Sequence, residues 1–174
     1  KTQILKFFAF TLLFFAQPTL AEEPAMSGMP DEAAMQKAME LGAPGEAHKV
    51  LDALIGEWTY TMTHKMAADA PEQASEGTSK NEWILGGRFV QQKVASTFDM
   101  GGQTINYEGV GTVGHDNVKG QYISSWMDNM GTGMMTASAE YDVNTKTLKE
   151  KGPYSCAMKG HDVNFTSELK FIDD

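Results

Sequence analysis

The chain has 174 residues with 23 acidic and 14 basic side chains, which gives a formal net charge of −9 at pH 7. This length suits one domain with its own hydrophobic core. An acidic chain without a basic cluster disfavours nucleic acid and anionic membrane surfaces as partners, although the charge also fits an exported protein kept soluble by its acidity.

The first residues are typical of a secretory signal peptide. Lys1 and Lys6 are basic, the segment from Phe7 to Phe15 is apolar, and Thr19 and Ala21 place small residues before a cleavage point after Ala21. The apolar run is too short for a transmembrane helix, so we expect no stable membrane insertion after cleavage. We therefore predict a periplasmic or secreted bacterial protein; an N-terminal membrane anchor is the alternative.

Two short helices are predicted before the rest of the domain. Residues 22–30 form a polar, flexible lead, and Asp31 then caps a helix that runs to about Leu41. A second helix covers about residues 45–55, where apolar residues recur at helical spacing. We expect this helix to pack against one end of the domain formed by residues 45–174, with residues 22–44 as the lead and first helix.

Alternating apolar and polar residues dominate the chain from Gly56 onward. Trp58, Tyr60, Met62 and His64 fall on one face of a strand, as in a half-buried antiparallel sheet. Turn residues such as Gly86-Gly87 separate further strands. The pattern predicts an all-β, antiparallel up-and-down barrel with strands Trp58–Met66, Gly77–Leu85, Arg88–Asp99, Thr104–Val113, Gly120–Met127, Met134–Tyr141, Thr145–Lys151 and His161–Phe171.

A series of short motifs in fixed order resembles a known bacterial family. These motifs are Pro44-Gly45-Glu46-Ala47-His48-Lys49, Leu54-Ile55-Gly56-Glu57-Trp58, Glu82-Trp83-Ile84-Leu85-Gly86-Gly87-Arg88-Phe89, Tyr107-Glu108-Gly109-Val110-Gly111, Gly114-His115-Asp116-Asn117 and Trp126-Met127-Asp128-Asn129-Met130-Gly131-Thr132-Gly133. Over roughly residues 40–174 they resemble the uncharacterised DUF1579 proteins. That family is similar to the calycin barrels, which include lipocalins, fatty-acid-binding proteins and nitrobindin-like haem proteins.

The resemblance has two departures and leaves the function open. The family usually has Tyr where this chain has His115, and its members continue beyond Asp174. Both ends of the chain look cut, so we expect a fragment that lacks closing strands. A calycin-like fold implies a lumen that could hold a small ligand.

Aromatic and methionine residues are the candidate lining of that lumen. If Trp58 faces inward, as the Gly-x-Trp of lipocalins does, Tyr60 and Met62 line the same interior. Aromatic residues at alternating positions of neighbouring strands could join them. We predict binding of a small apolar ligand by Trp58, Tyr60, Met62, Trp83, Arg88, Tyr107 and Trp126. The alternative is a structural or interaction module in which these side chains fill a solid core.

Two charged residues lie among apolar neighbours. Arg88 and Asp128 could form a buried ion pair, or Arg88 could stack on Trp58. Asp128 with His64 would be the titratable cluster of an enzyme acting on a lumenal substrate, which is our second alternative. No catalytic residue is assigned, and we lean towards a protein that is not an enzyme.

We predict no cofactor and no metal site. Methionines cluster around Gly131-Thr132-Gly133, and thioethers suit Cu(I), but core filling and helix packing explain them without metal. The histidines are scattered, and His115 is interpreted as a surface residue in a turn. Cys156 is expected to be buried on a strand, and exposed edge strands would favour a homodimer.

Overall fold

The computed structural model describes residues 31–64, 73–100, 102–157 and 159–171. It contains helix α1 (Glu32–Leu41), helix α2 (Glu46–Lys49) and a 3-10 helix (Val50–Leu54). The strands are β1 (Gly56–His64), β2 (Gln73–Ile84), β3 (Phe89–Met100), β4 (Gln103–Asp116), β5 (Gln121–Asp128), β6 (Met135–Asp142), β7 (Thr147–Cys156) and β8 (His161–Lys170). The predicted signal peptide and flexible lead lie outside the described residues.

The first helix has the predicted bounds. The Asp31 carboxylate accepts a hydrogen bond from the backbone N–H of Ala34 at 2.7 Å, as an N-cap should. At the other end, the Gly42 N–H bonds to the carbonyl of Ala38. No residue of α1 is buried, so the helix stays on the surface.

The second helical segment is α-helical for only one turn. From Val50 it continues as a 3-10 helix, and the Ile55 N–H bonds to the carbonyl of Asp52 at 3.0 Å. This tighter winding commonly ends a short helix. Among the described helices, none has the length and apolar character that a membrane crossing requires.

The strands form one eight-stranded sheet in chain order, β1 to β8, with every neighbouring pair antiparallel. The prediction of an all-β, up-and-down antiparallel sheet is therefore confirmed. The tight turn between β2 and β3 needs positive φ angles at Leu85 (51°), Gly86 (67°) and Gly87 (81°). Glycine adopts such angles without steric cost, which explains the Gly-Gly pair.

The buried core lies at the end of the sheet that the helices cover. Leu51 and Leu54 of the 3-10 helix join Val90, Val113 and Leu148 there, with Tyr122 and Ala139 completing the cluster. The Tyr122 hydroxyl donates to the carbonyl of Ala47 at 2.8 Å. The helical segment thus closes one end of the curved sheet, as the sequence predicts.

The predicted barrel closure is not found in the described residues. No hydrogen-bonded ladder joins β1 to β8, so the sheet is open between these strands. Alternation along a strand assigns faces, but it does not determine whether the first and last strands meet. Closure depends on strand tilt and stagger, which arise from the whole sheet.

Candidate functional site

A cavity of about 710 Å³ lies on the inner face of the sheet, and we call it the main cavity. Trp58 and Tyr60 of β1 line one side, and Leu169 and Lys170 of β8 line the other. The sheet therefore curls enough for its two edge strands to border the same space. The lining is completed by Ala53, Leu54, Thr59, Ser79, Asn81, Gln92, Val94, Phe98, Tyr107, Trp126 and Phe171.

Hydrogen bonds to one carbonyl position the rim of the main cavity near the helices. The carbonyl of Leu54 accepts from Trp58 Nε1 and from Asn81 Nδ2, each at 2.8 Å. Ser79 Oγ donates to Asn81 Oδ1 at 2.6 Å, which orients the buried amide. The Trp58 ring remains 48% exposed, so it offers apolar surface to the opening.

Glycines on neighbouring strands make room for the aromatic rings. Gly77 pairs with Tyr60 across β1 and β2, and a Cβ atom at Gly77 would collide with the Tyr60 ring. The Trp126 ring lies over both Gly109 and Gly111 of β4 in the same way. These rings therefore lie close to the sheet, which keeps space open above them.

Tyr107, Trp126 and Asp128 form a hydrogen-bonded network. Trp126 Nε1 donates to the Tyr107 hydroxyl at 3.0 Å and to Asp128 Oδ2 at 3.1 Å. The Tyr107 hydroxyl donates to Asp128 Oδ2 at 3.2 Å, and Asp128 Oδ1 accepts from the N–H of Met130 at 3.0 Å. Burial raises the pKa of Tyr107 to about 12, a rise that Trp126 opposes and the Asp128 carboxylate reinforces. The phenol therefore keeps its proton at neutral pH.

A second space of about 460 Å³ adjoins the main cavity, and we call it the adjoining hollow. The two share Leu54, Gln92, Tyr107, Trp126 and Leu169. The adjoining hollow is also lined by two acidic residues, Asp128 and Glu150. Thr112 and Ser125 line it too, and their hydroxyl oxygens lie 2.8 Å apart. The remaining lining residues are Val113, Ser124, Met135, Leu148, Phe165 and Ser167. Among the described residues that line it there is no Lys, Arg or His.

A family model for proteins of unknown function, DUF1579, matches residues 43–174. The chain belongs to the DUF1579 family. A comparison with curated proteins gives no match. The DUF1579 match begins after α1 and includes every residue of the main cavity and of the adjoining hollow.

Seven residues of this DUF1579 chain were predicted to line a lumen, and the structure brings four of them together. Trp58, Tyr60, Tyr107 and Trp126 all border the main cavity. Met62 lies on β1, but its side chain is outside the described residues. Trp83 and Arg88 border neither the main cavity nor the adjoining hollow.

Trp83 and Arg88 belong to the end of the domain that the helices cover. Trp83 Nε1 donates to Asp52 Oδ1 at 2.9 Å, and the ring packs against the buried core. Arg88 Nε donates to the carbonyl of Gly42 at 3.0 Å, and Nη1 donates to that of Leu85 at 3.1 Å. The predicted ion pair between Arg88 and Asp128 is therefore wrong, because backbone carbonyls take up the guanidinium.

Several residues of the main cavity were not predicted from the sequence. Gln92, Val94 and Phe98 share one face of β3, and Leu169 lies on β8. Alternation from Val90 along β3 would have found the first three. No sequence pattern predicted that Leu169 and Trp58 border the same cavity, because this proximity depends on the curl of the sheet.

Other candidate residues occupy different positions from those expected. His115 lies at the end of strand β4 and not in a turn, so its predicted position is wrong. It is half-buried, with its ring 4.9 Å from that of Tyr122 and its Nδ1 bonded to Asn117 Oδ1. Met127, Met130 and Met134 are 45%, 46% and 57% exposed and do not fill the core. Cys156 lies on β7 as predicted and is half-buried. In the described part of the chain, no three His, Cys, Asp or Glu side chains converge as a metal site would require.

Proposed function

We propose that this DUF1579 protein binds a small, mainly apolar molecule in the main cavity. The observation that carries the proposal is an open space of about 710 Å³ bordered by Trp58, Tyr60, Phe98, Tyr107 and Trp126. Small-molecule sites are commonly clefts of this order of size, with apolar and aromatic walls and a few polar groups. Asn81 and Gln92 supply polar atoms on the same walls.

We also propose that the curled sheet is a calycin-like barrel that is open between β1 and β8. Support comes from the eight antiparallel strands in chain order, the helical segment at one end and the side chains directed into a common interior. In this architecture a ligand would lie between the edge strands and contact both of them.

A structural module with a solid interior is the first alternative. The buried apolar cluster occupies the helix-covered end, around Leu51, Val90 and Val113, while Trp58 at the cavity rim remains 48% exposed. Because the buried apolar residues are concentrated at one end, the interior beside Trp58 is not filled, which favours a ligand-binding protein over a structural module with a solid interior.

An enzyme acting inside the cavity is the second alternative. Proton transfer near neutral pH needs a group whose pKa lies close to that range. Tyr107 has its pKa raised to about 12, which makes it a hydrogen-bond donor rather than an exchanging acid. The His64 side chain lies outside the described residues, so its pairing with Asp128 stays a prediction.

Export remains part of the proposal, and it rests on the basic, apolar and small-residue segments of residues 1–21. Fractionation of the native host, followed by mass analysis of the purified N-terminus, tests it. We expect a mature chain that begins at Glu22 in the extracytoplasmic fraction. A chain retained in the cytoplasm with residues 1–21 intact would contradict export.

Binding is tested by native mass spectrometry of the host-purified protein and by titration with the neutral fluorescent probe N-phenyl-1-naphthylamine. We expect an additional mass that is lost on denaturation, and saturable probe fluorescence that the native ligand displaces. Trp58→Ala should weaken probe binding by roughly five- to tenfold, because one aromatic contact is lost.

Met127→Ala is the matched control for this titration. Met127 is 45% exposed, close to the 48% of Trp58, and borders neither the main cavity nor the adjoining hollow. Its substitution should leave probe affinity unchanged. A bare mass together with no saturable probe binding would contradict the proposed function and favour the solid module.

A further inference from the structure

The adjoining hollow differs from the main cavity in the sign of its charge. Asp128 and Glu150 contribute carboxylates to it, and none of the described residues that line it is cationic. The described cation that borders the main cavity is Lys170, an exposed residue on the edge strand β8. The walls are therefore mainly apolar near β1 and carry carboxylates at β5 and β7.

The hydrogen-bond pattern leaves acceptors open in the adjoining hollow. Trp126 Nε1–H and the Tyr107 hydroxyl already donate within the network that includes Asp128. Carboxylate oxygens have further lone pairs, and Glu150 is bonded through Oε2 to Ser167 Oγ at 2.8 Å. A ligand group that donates hydrogen bonds or carries positive charge would complement these acceptors.

Aromatic rings border the same space. Tyr107, Trp126 and Phe165 line the adjoining hollow together with the carboxylates. The faces of such rings attract ammonium groups, most strongly when water is excluded. The net charge of −9 adds a long-range attraction for cations.

We propose that the ligand is a cationic amphiphile, with its apolar body in the main cavity and its amine or quaternary ammonium head in the adjoining hollow. This inference rests on the proposed function, since it names the ligand class of the same site. Asp128 and Glu150 neutralise the head, while Trp126 and Tyr107 contact it through their rings. An anionic head would face two carboxylates, and no cation among the described lining residues would offset them.

Head-group preference is tested with three probes that share a twelve-carbon chain, the two ionic probes below their micelle concentrations and the alcohol below its solubility limit. Dodecyltrimethylammonium is the cation, 1-dodecanol the neutral probe and dodecanoate the anion. Calorimetry or displacement of N-phenyl-1-naphthylamine should show that the cation binds at least roughly tenfold more tightly than the other two, an advantage that falls as salt is added. Equal or tighter binding of the alcohol or the carboxylate would overturn the inference.

Charge-removing variants locate the head group. Asp128→Asn and Glu150→Gln should each weaken binding of the cation by roughly tenfold, as expected for loss of one charged partner, and should leave 1-dodecanol binding within about twofold. Glu140→Gln is the control, because it removes the same charge from an exposed position on β6 outside both spaces. Equal losses for all three variants would assign the preference to overall charge and contradict the site.

The two proposals fail in different ways. If 1-dodecanol binds saturably but the cation has no advantage, the cationic head is excluded and the binding function stands. If none of the three probes binds, both proposals fail. Asp128 belongs to a hydrogen-bonded network, so a folding defect in Asp128→Asn would make that variant uninformative. Glu150→Gln and the comparison of the three probes on the unaltered protein then decide whether the adjoining hollow prefers a cationic head.

Discussion

At the scale of single residues, glycines opposite aromatic rings determine how the inner face of the sheet is filled. Gly77 lies beneath Tyr60, and Gly109 and Gly111 lie beneath Trp126. In open strand positions, replacing glycine by alanine stabilises a protein by restricting the unfolded chain. Here the added methyl group would occupy the space of the ring, so the sign of the effect reverses.

The substitution Gly109→Ala tests this arrangement. We expect a loss of about 1–3 kcal/mol in the free energy of unfolding, as for other overpacked sites. The Trp126 ring must leave its place, which also breaks its bonds to Tyr107 and Asp128. Urea unfolding measures the stability, and a red shift in tryptophan emission reports the displaced ring.

Gly133→Ala is the control for this substitution. Its nearest neighbour is Ser155 Cβ at 3.6 Å, an ordinary contact distance, and Gly133 is exposed. We expect the emission of this variant to match that of the unaltered protein, and its free energy of unfolding to be equal or up to about 1 kcal/mol higher. A Gly109→Ala protein that also matched would show that the ring has room to move.

At the scale of elements, contacts from β4 and β5 and from the turns at their ends hold the helical segment against the sheet. Asn117 Nδ2 donates to the carbonyls of Leu41 and Ala43 at 2.9 and 2.8 Å. His48 of α2 is buried, and its ring lies 5.8 Å from that of His115 on β4. The Gly45 N–H donates to His48 Nδ1 at 3.0 Å, a bond that requires this nitrogen to be unprotonated.

Acid should therefore weaken the attachment of the helical segment. Burial lowers the pKa of His48 from 6.5, and the positive charges of His115 and Arg88 lower it further. Below about pH 6.5 the unfolded chain then binds more protons than the folded protein, so stability decreases as the pH falls through this range. We expect the melting temperature to decrease between about pH 7.5 and 5.5, and His48→Gln to reduce that decrease.

His161→Gln is the control for the pH experiment. His161 is exposed at the start of β8 and contacts the carbonyl of Lys159 through Nδ1. Its substitution should leave the pH dependence unchanged. If His48→Gln kept the full pH dependence, the titration would belong to another group.

At the scale of the whole molecule, stability is concentrated at one end of the sheet. The buried cluster around Leu51, Val90, Val113 and Tyr122 lies beneath the helical segment. At the opposite end, the β3–β4 hairpin extends to Met100 and Gln103. Thr97, Asp99 and Thr104 are exposed there, so few buried contacts oppose local opening.

Hydrogen exchange followed by mass spectrometry should show this gradient. Amides of residues 89–91, 112–115 and 121–123 should exchange slowest, because they open only with the core. Amides of residues 97–99 and 103–106 should exchange much faster, although the same strands contain both groups. Uniform protection along β3 and β4 would contradict the gradient and indicate a second core at the hairpin end.

The sequence by itself determined the order, type and approximate bounds of the elements. Asp31 and Gly42 mark the ends of α1, and the Gly86-Gly87 pair marks the turn between β2 and β3. Alternation also placed Trp58 and Tyr60 on the same face of β1, and both border the main cavity. These features were predictable because capping, turn formation and strand periodicity depend on residues within a few positions of one another.

Only the tertiary structure decided where along the strands the cavity lies and whether the sheet closes. Trp83 shares its face of β2 with Ser79 and Asn81, yet it packs against the core while they border the main cavity. Leu169 and Trp58 border the same cavity although no ladder joins β8 to β1. Their proximity to one space depends on the curl of the entire sheet. Periodicity specifies a face, whereas depth and closure arise from strand stagger and from the position of the helical segment, which no local pattern encodes.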